Sequence, residues 1–253
     1  MNVETIKTQL KSLRLATASR TIEEILAKHK KAVSLAWVAE LLESELDGRK
    51  QNALGLRIKQ AGFPELTTLE NFDWSFNIKI DEKKIRELAD LKFLDGNEIA
   101  LFLGPPGVGK SHCALAIGHL AARAGHKVFW TSAKRLSRQI IAAKARDNLD
   151  MFFKKVLACK LWVIDDWGVI TMERDVAEEV FDLLDRRKYS SSLILTSNRA
   201  VGEWGQVFPD VVLASSTVDR MFEHAHHVEF DGPSYRLKGR IKTRDVDMDK
   251  EKI

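Results

Sequence analysis

A short apolar run that leads directly into a glycine-rich loop constrains this chain more than any other feature. Ile99–Leu103 are all apolar, and the next eight residues, Gly104 to Ser111, read Gly-Pro-Pro-Gly-Val-Gly-Lys-Ser. A helix-forming stretch, His112–Ala124, follows without a break. A strand, a G-x-x-x-x-G-K-S loop and a helix in this order make the Walker A pattern, whose backbone cradles phosphate groups. The pattern predicts an α/β domain with a phosphate site at one strand end.

The residue types in this loop suit a phosphate ligand. Glycines let the backbone curl so that successive N–H groups face one point, and no side chain blocks the approach of a phosphate. The helix that follows directs the positive end of its dipole at the same point. We expect Lys110 to reach the β- and γ-phosphates of ATP as a point charge, and Ser111 to ligate Mg²⁺. The residues expected to bind the nucleotide are Gly104, Pro105, Pro106, Gly107, Val108, Gly109, Lys110, Ser111 and His112.

Polar side chains also follow two later apolar runs. Leu161–Ile164 is followed by Asp165 and Asp166, and the run that starts at Leu193 ends in Thr-Ser-Asn198. Carboxyl ends of parallel strands form the ligand-binding edge of an open α/β sheet, so we expect these groups near the loop. There Asp165 would hold Mg²⁺ through water, Asp166 would orient or deprotonate the attacking water, and Asn198 would hold that water near the γ-phosphate. Without the loop, both motifs would indicate only ordinary strand ends and turns.

From Ile99 onward, short apolar runs alternate with helical segments, which predicts a parallel sheet covered by helices. The predicted strands are Ile99–Leu103, Val128–Thr131, Leu161–Ile164, Leu193–Thr196 and Val228–Phe230. One strand lies in sequence between the loop strand and the Asp165 strand. This spacing is typical of AAA+ and RecA-like proteins, in which another strand separates these two in the sheet, whereas nucleoside kinases generally place them side by side.

The chain before this sheet has helical patterns. Apolar residues recur at helical spacing from Val3 to Leu13, a longer helix is expected to start near Ser34 as its N-cap, and a further helix to run to Ala61. Asp81 is expected to cap a helix that continues to about Leu94. We therefore predict four regions: a helical partner- or DNA-binding module at 1–62, a connector and linker helix at 63–98, an ATPase domain at 99–236 and a disordered tail at 237–253.

The charge of the chain is concentrated in one segment. The whole chain has a net charge of +4 and a pI of about 9.0, and residues 134–160 alone hold eight Lys or Arg against two acids. This segment, predicted as a helical insertion before the Asp165 strand, would neutralise DNA phosphates without reading the sequence; the alternative is a solvated helix face. The residues expected to contact DNA are Lys134, Arg135, Arg138, Lys144 and Arg146.

The cellular setting follows from three patterns. The two cysteines, Cys113 and Cys159, form no Cys-x-x-Cys pair, so a reduced compartment is expected. The N-terminus lacks the apolar run of a signal peptide, and no stretch approaches the length of a membrane span. These patterns predict a cytoplasmic protein without a membrane partner.

Five segments carry a family resemblance. They are LKSLRLATA at 10–18, GPPGVGKSH at 104–112, LWVIDDWG at 161–168, LILTSN at 193–198 and DRMFEHAHHVEFDGPSYR at 219–236. On these segments the chain resembles the AAA+ ATPases of the IstB family, the transposition helper proteins of insertion sequences, and the related DnaC-type helicase loaders. The resemblance implies a P-loop AAA+ core with a parallel five-stranded sheet flanked by helices, a reduced or absent lid, and an all-helical N-terminal module.

The resemblance also implies roles for two arginines. Arg220 matches the arginine finger that enters the ATP site of a neighbouring subunit, and Arg236 matches the sensor arginine that reads the γ-phosphate in its own site. A planar guanidinium can spread its charge over phosphate oxygens as they become more negative. Asp166 departs from the family pattern, because many AAA+ proteins carry Glu there, and its shorter side chain predicts slow hydrolysis.

The function implied by the resemblance is an ATP- and Mg²⁺-dependent ATPase that assists DNA transposition. Such a protein would form a homo-oligomer, an ATP- and DNA-dependent ring or spiral on double-stranded target DNA, and recruit or activate its cognate transposase. A DnaC-like replicative helicase loader is the alternative, since the core is nearly the same. A nucleotide-gated scaffold with negligible turnover is compatible with Asp166. A small-molecule kinase would need an arginine-rich lid and an acceptor pocket, and the sequence indicates neither.

Overall fold

The computed structural model describes residues 3–28, 36–206, 208–222 and 225–238, without the side chains of residues 36–37, 206, 211–213 and 220–222. The chain divides into two compact units, Met1–Leu56 and Arg57–Ile253. The predicted cap at Ser34 and the tail from residue 239 onward lie outside the described residues. In the described part of the chain, no helix is both long and apolar enough to span a membrane.

The first unit is helical, as the sequence predicts. Its helices are α1 (Val3–Ser12), α2 (Ala16–Lys28) and the larger part of α3 (Ala36–Ala61). Ile6 and Leu10 of α1 form a small buried cluster with Ala39 of α3. The prediction of two helices up to Ala61 is wrong, because α3 is continuous for 26 residues. Its internal glycines, at positions 48 and 55, cost about 1 kcal/mol each in a helix interior, which is too little to force a break.

The second unit contains the predicted five-stranded sheet, and every pair of neighbouring strands is parallel. The strands are β1 (Ile99–Leu103), β2 (Val128–Ser132), β3 (Leu161–Trp167), β4 (Ser192–Ser197) and β5 (Ala225–Glu229). Their order is β2-β3-β4-β1-β5. The loop strand β1 and the acidic strand β3 are therefore separated by β4, which confirms the predicted separation of these two strands. The last strand starts three residues earlier than predicted and ends before Phe230.

Helices cover both faces of the sheet because the strand side chains alternate between two buried clusters. In β1, Ile99 and Leu101 join one cluster, whereas Ala100 and Phe102 join the other. The first cluster is completed by α6 (Ala133–Ala145), α7 (Leu149–Leu157) and α8 (Arg174–Arg187). The second is completed by α4 (Glu82–Ala89) and α5 (Lys110–Arg123). This alternation follows the two-residue period of a strand and leaves the strand ends open at one edge.

The linker helix differs from its prediction. Asp81 caps α4 as expected, since its carboxylate accepts a hydrogen bond from the backbone N–H of Lys84 at 3.1 Å. The helix nevertheless ends at Ala89, because Leu91 adopts a left-handed conformation with φ of 63° and a short 3-10 turn follows over Lys92–Leu94. Leu94 is buried, but it reaches the core from this turn rather than from the helix.

Candidate active site

The glycine-rich loop joins β1 to α5, and its glycines are required by close contacts. Gly107 has φ of 83°, and a Cβ atom there would come within 2.0 Å of the hydroxyl oxygen of Ser234. Gly109 has φ of 107°, and a Cβ atom there would come within 2.4 Å of the ring of Phe72. A left-handed conformation in such confined space admits glycine alone. Helix α5 begins at Lys110, so its N-terminal N–H groups lie at the end of the loop.

The ammonium group of Lys110 is held at the centre of the site. It donates hydrogen bonds to the carbonyl oxygens of Gly104 at 2.7 Å and Pro105 at 2.6 Å, and to the side-chain oxygen of Asn198 at 2.7 Å. Lys110 is only 5% exposed. Burial lowers its pKa to about 8, although the nearby negative charges of Asp166 and Asp165 oppose this shift. The structure thus brings Lys110 and Asn198 together, as predicted.

The two aspartates lie in a β-bulge. Ile164 pairs with Leu195 and Trp167 pairs with Ser197, so Asp165 and Asp166 together lie opposite a single residue of β4. That residue is Thr196, whose hydroxyl donates to Asp165 Oδ1 at 2.5 Å and accepts from the backbone N–H of Asp166 at 3.0 Å. Thr196 therefore holds Asp165 through its carboxylate and Asp166 through its backbone N–H.

Asp165 faces the loop. The hydroxyl of Ser111 donates a hydrogen bond to Asp165 Oδ1 at 2.7 Å, which joins the first turn of α5 to the end of β3. A serine hydroxyl and a carboxylate are oxygen donors of the kind that Mg²⁺ prefers, and Mg²⁺ usually takes only one or two protein ligands beside water and phosphate. The pair therefore fits the predicted metal site, with Ser111 and Asp165 as the residues that would hold the ion.

Asp166 faces the cavity instead. Its φ of 56° places it in the left-handed region, which Asp tolerates better than most residues, and its side chain is exposed. Partial removal from water and the negative charge of Asp165 raise its pKa, while Lys110 and Arg236 act in the opposite direction. A carboxyl of raised pKa in a cleft is suited to proton transfer.

A cavity of about 300 Å³ collects most of the predicted site residues. It is lined by the loop from Pro106 to His112, by Asp166, Asn198 and Arg236, and by residues of the connector. Gly104 and Pro105 do not line it, but their carbonyl oxygens accept hydrogen bonds from Lys110. Asp165 also lies outside the lining, behind Ser111. The structure therefore brings Lys110, Ser111, Asp166, Asn198 and Arg236 to one cavity, and Asp165 contacts it through Ser111.

The structure adds residues that sequence reasoning missed. Thr196 holds both aspartates, but only the pairing of β3 with β4 reveals this role. From the connector, Asn71, Phe72, Asp73, Phe76 and Asn77 line the cavity, and Phe72 packs edge-on against His112 with ring centroids 5.3 Å apart. The aromatic residues of the connector are visible in the sequence. The sequence alone does not show which of them line the cavity and which pack into the core.

Arg220 and the basic segment are the remaining predicted residues. Arg220 lies in α9 (Val211–Phe222), and its side chain is outside the described part of the structure. The basic segment forms α6 and α7, whose apolar faces belong to the core. Its five predicted DNA contacts are all exposed and do not line the cavity: Lys134, Arg135, Arg138, Lys144 and Arg146. Lys144 pairs with Glu179 at 3.0 Å.

The loop, the acidic bulge and the strand order define a P-loop ATP-binding protein of the AAA+ class. The chain belongs to the family of IstB-like ATP binding proteins, whose family model matches residues 8–243.

Individual relatives agree with this assignment. The chain is 37% identical over 235 residues to the insertion sequence IS21 ATP-binding protein of Pseudomonas aeruginosa, covering 92% of this chain and 89% of that one. It is 32% identical over 238 residues to the insertion sequence ATP-binding protein Rv3427c of Mycobacterium tuberculosis, covering 93% and 95%. The fold resembles that of the replication initiator DnaA bound to AMPPCP and single-stranded DNA, with a TM-score of 0.54, 19% identity and coverage of 70% of this chain and 56% of the DnaA chain.

Proposed function

We propose that this protein is an ATPase that assists DNA transposition, by assembling on double-stranded target DNA with ATP and recruiting or activating its transposase. The observation that carries the proposal is the convergence of Lys110, Asp166, Asn198 and Arg236 on one cavity beside the phosphate loop. The relatives named for insertion sequences support the transposition setting over helicase loading.

In the proposed reaction, the loop N–H groups and Lys110 hold the β- and γ-phosphates of ATP. Asn198, whose side-chain oxygen lies 2.7 Å from the Lys110 ammonium, orients the attacking water. Asp166 accepts a proton from that water, and its raised pKa suits this role. Arg236 offsets the negative charge that develops on the γ-phosphate. A magnesium ion held by Ser111 and Asp165 would supply further neutralisation of the phosphate oxygens.

DNA binding is assigned to the exposed basic side chains of α6 and the turn after it. Lys134, Arg135 and Arg138 lie within the first two turns of α6, where they are free of the cavity and open to solvent. Such side chains neutralise phosphates without selecting bases, which suits a protein that must bind many target sequences.

Assembly is assigned to Arg220 and to the N-terminal module, residues 1–62. Arg220 would complete the ATP site of a neighbouring subunit, so the active form would be a homo-oligomer, a ring or spiral around DNA. The N-terminal module would bind the transposase or help to grip DNA. A DnaC-like helicase loader would share the ATPase core and differ in the partner of this module.

The test is to measure ATP hydrolysis with and without duplex DNA, and particle size with ATP, for the wild type and for Arg220→Ala. We expect the wild type to assemble and to hydrolyse ATP faster on DNA, and Arg220→Ala to bind ATP without turnover. A fully active monomer whose turnover ignores DNA would contradict the shared-site proposal. It would favour a small-molecule phosphotransferase instead.

A further inference from the structure

Two segments that are far apart in sequence contact each other and line the same cavity. The connector strip, residues 71–79, and the C-terminal strip, residues 231–238, are joined by two ion pairs. Lys79 Nζ lies 2.6 Å from Asp231 Oδ2, and Lys238 Nζ lies 2.7 Å from Asp73 Oδ2. We call this pair of strips the clasp.

The second ion pair of the clasp is the more constrained of the two. The ammonium of Lys238 also lies 5.0 Å from the ring centroid of Phe76 and 4.8 Å from that of Tyr235, within the range of cation–π attraction. Those two rings meet edge-on, with centroids 5.0 Å apart. One cation thus contacts an acid and two aromatic rings that come from both strips.

Contacts within the connector strip orient the Asp73 carboxylate independently of Lys238. Its Oδ1 accepts hydrogen bonds from the hydroxyl of Ser75 at 2.6 Å and from the backbone N–H of Phe76 at 3.2 Å. Hydrogen bonds from Lys238 and Ser75 lower the pKa of Asp73 to about 2, so the carboxylate stays charged throughout the neutral range. The acceptor is therefore already oriented, which reduces the entropy lost when the pair forms.

The C-terminal strip also touches the phosphate loop. The backbone N–H of Tyr235 donates to the carbonyl oxygen of Gly107 at 2.9 Å, and Ser234 packs against the same glycine. Arg236 follows directly and lines the cavity. Among the described residues Arg236 forms no ion pair, so neighbouring contacts must set its position. On one side of Arg236, Tyr235 binds the phosphate loop. On the other side, Lys238 binds the connector strip.

We propose that the Asp73–Lys238 ion pair is a positioning pair, which holds Arg236 at the phosphate end of the cavity and thereby sets the preference of the protein for ATP over ADP. The inference rests on the proposed role of Arg236 as reader of the γ-phosphate. ADP lacks that phosphate, so a displaced Arg236 weakens ATP binding selectively. Neither Asp73 nor Lys238 needs to touch the reacting atoms.

The test is to measure the dissociation constants of ATP and ADP for the full chain and for Asp73→Asn. Asparagine keeps an oxygen that accepts from the Phe76 N–H but lacks the charge that Lys238 requires. We expect the ATP dissociation constant to rise about three- to fivefold, the effect of one exposed ion pair, with less than a twofold change for ADP. Loss of a negative charge beside a polyanion would by itself tighten the binding of both nucleotides, so charge alone cannot produce this selective loss.

Two further variants connect the effect to the pair and to Arg236. The exchange Asp73→Lys with Lys238→Asp preserves total charge and should restore much of the ATP preference. In an Arg236→Ala background, Asp73→Asn should cause no further loss of that preference, because there is no longer a guanidinium to position. Additive effects of the two substitutions would overturn the inference.

The matched control is Glu178→Gln, which removes an exposed ion pair with Arg174 on α8, away from the cavity. If Arg236→Ala lowers the ATP preference while Asp73→Asn behaves like this control, the positioning inference is overturned and the proposed function stands. If Arg236→Ala leaves the preference unchanged, the role of Arg236 in the proposed function fails and the inference fails with it.

Discussion

The hydroxyl of Ser111 lies 2.7 Å from Oδ1 of Asp165 and donates a hydrogen bond to it, so the phosphate loop and the acidic strand are joined where a metal ion would bind. We expect Asp165→Ala to raise the Mg²⁺ concentration needed for half-maximal ATPase activity at least tenfold, since loss of a group that supports a metal ion from its outer shell typically costs about 10- to 100-fold in metal affinity. Ser111→Ala should act in the same direction.

The measurement is a Mg²⁺ titration of ATP hydrolysis at saturating ATP. Asp182→Asn on α8 is the control, because its carboxylate pairs with Arg186 outside the cavity. An unchanged magnesium requirement in Asp165→Ala would exclude this pair as the metal site.

Asp166 is expected to act in hydrolysis and not in binding. Asp166→Asn should reduce the turnover rate about 100-fold or more, the usual contribution of a general base, without weakening ATP binding. The raised pKa keeps a proton on this carboxyl to a higher pH than on an ordinary aspartate, and the carboxylate is the active form. Wild-type turnover should therefore fall with decreasing pH, starting at a higher pH than an ordinary aspartate would give. A pH series of turnover checks both statements, and an active Asp166→Asn protein would argue against them.

Thr196 is expected to support the site from within the core. Thr196→Val keeps the shape of the side chain but leaves the backbone N–H of Asp166 and the carboxylate of Asp165 without their shared partner. We expect a loss of about 1–3 kcal/mol in the free energy of unfolding, together with reduced turnover. Thr196→Ser, which keeps the hydroxyl, should retain most of both. Urea denaturation and ATPase assays on the two variants provide the comparison. Equal stability and turnover in Thr196→Val and Thr196→Ser would refute the supporting role of Thr196.

ATP binding should become weaker as the pH rises through about 8. The ammonium form of Lys110 binds phosphate, and burial lowers the pKa of Lys110 to about 8 in the free protein. The charge of bound ATP favours the ammonium form, so binding takes up a proton above this pH, and the affinity should fall about eightfold between pH 7.5 and 9.0.

Calorimetry in two buffers of different ionisation enthalpy would detect the proton uptake directly. Lys110→Arg is the control, because a guanidinium stays protonated over this range and its weaker binding should not depend on pH. An equal pH dependence in both proteins would assign the titration to another group.

The exposed basic face of α6 should determine the salt dependence of DNA binding. Replacing Lys134, Arg135 and Arg138 with Gln should weaken duplex binding for all sequences alike, and reduce the slope of log affinity against log salt by about one for each DNA phosphate that is no longer neutralised. Lys83→Gln on α4 removes an exposed lysine from another part of the surface and should leave the slope unchanged. If the triple variant does not alter the slope, the basic face of α6 is exposed to solvent and does not contact DNA.

Most of the phosphate site could be predicted from the sequence because its determinants are local. The glycines, Lys110 and Ser111 lie within one short loop. An apolar run before this loop and a helix after it predict the backbone geometry of the loop. The separation of the loop strand from the Asp165 strand was also predictable, because one strand lies between them along the chain and that spacing is typical of AAA+ and RecA-like sheets. Helix ends were less predictable, as at Leu91, because a left-handed residue without glycine carries no strong local signal.

The tertiary structure alone decided which distant side chains support that site. Thr196 holds two aspartates only because a bulge in β3 shifts its register against β4. Asp73 meets Lys238 only because the connector and the C-terminal strip converge beside Gly107. Contacts of this kind depend on pairings between residues about 30 and 165 positions apart, which no periodicity within one segment encodes. The sequence by itself determined the phosphate chemistry, and the packing of the strands and strips determined how that chemistry is held in place.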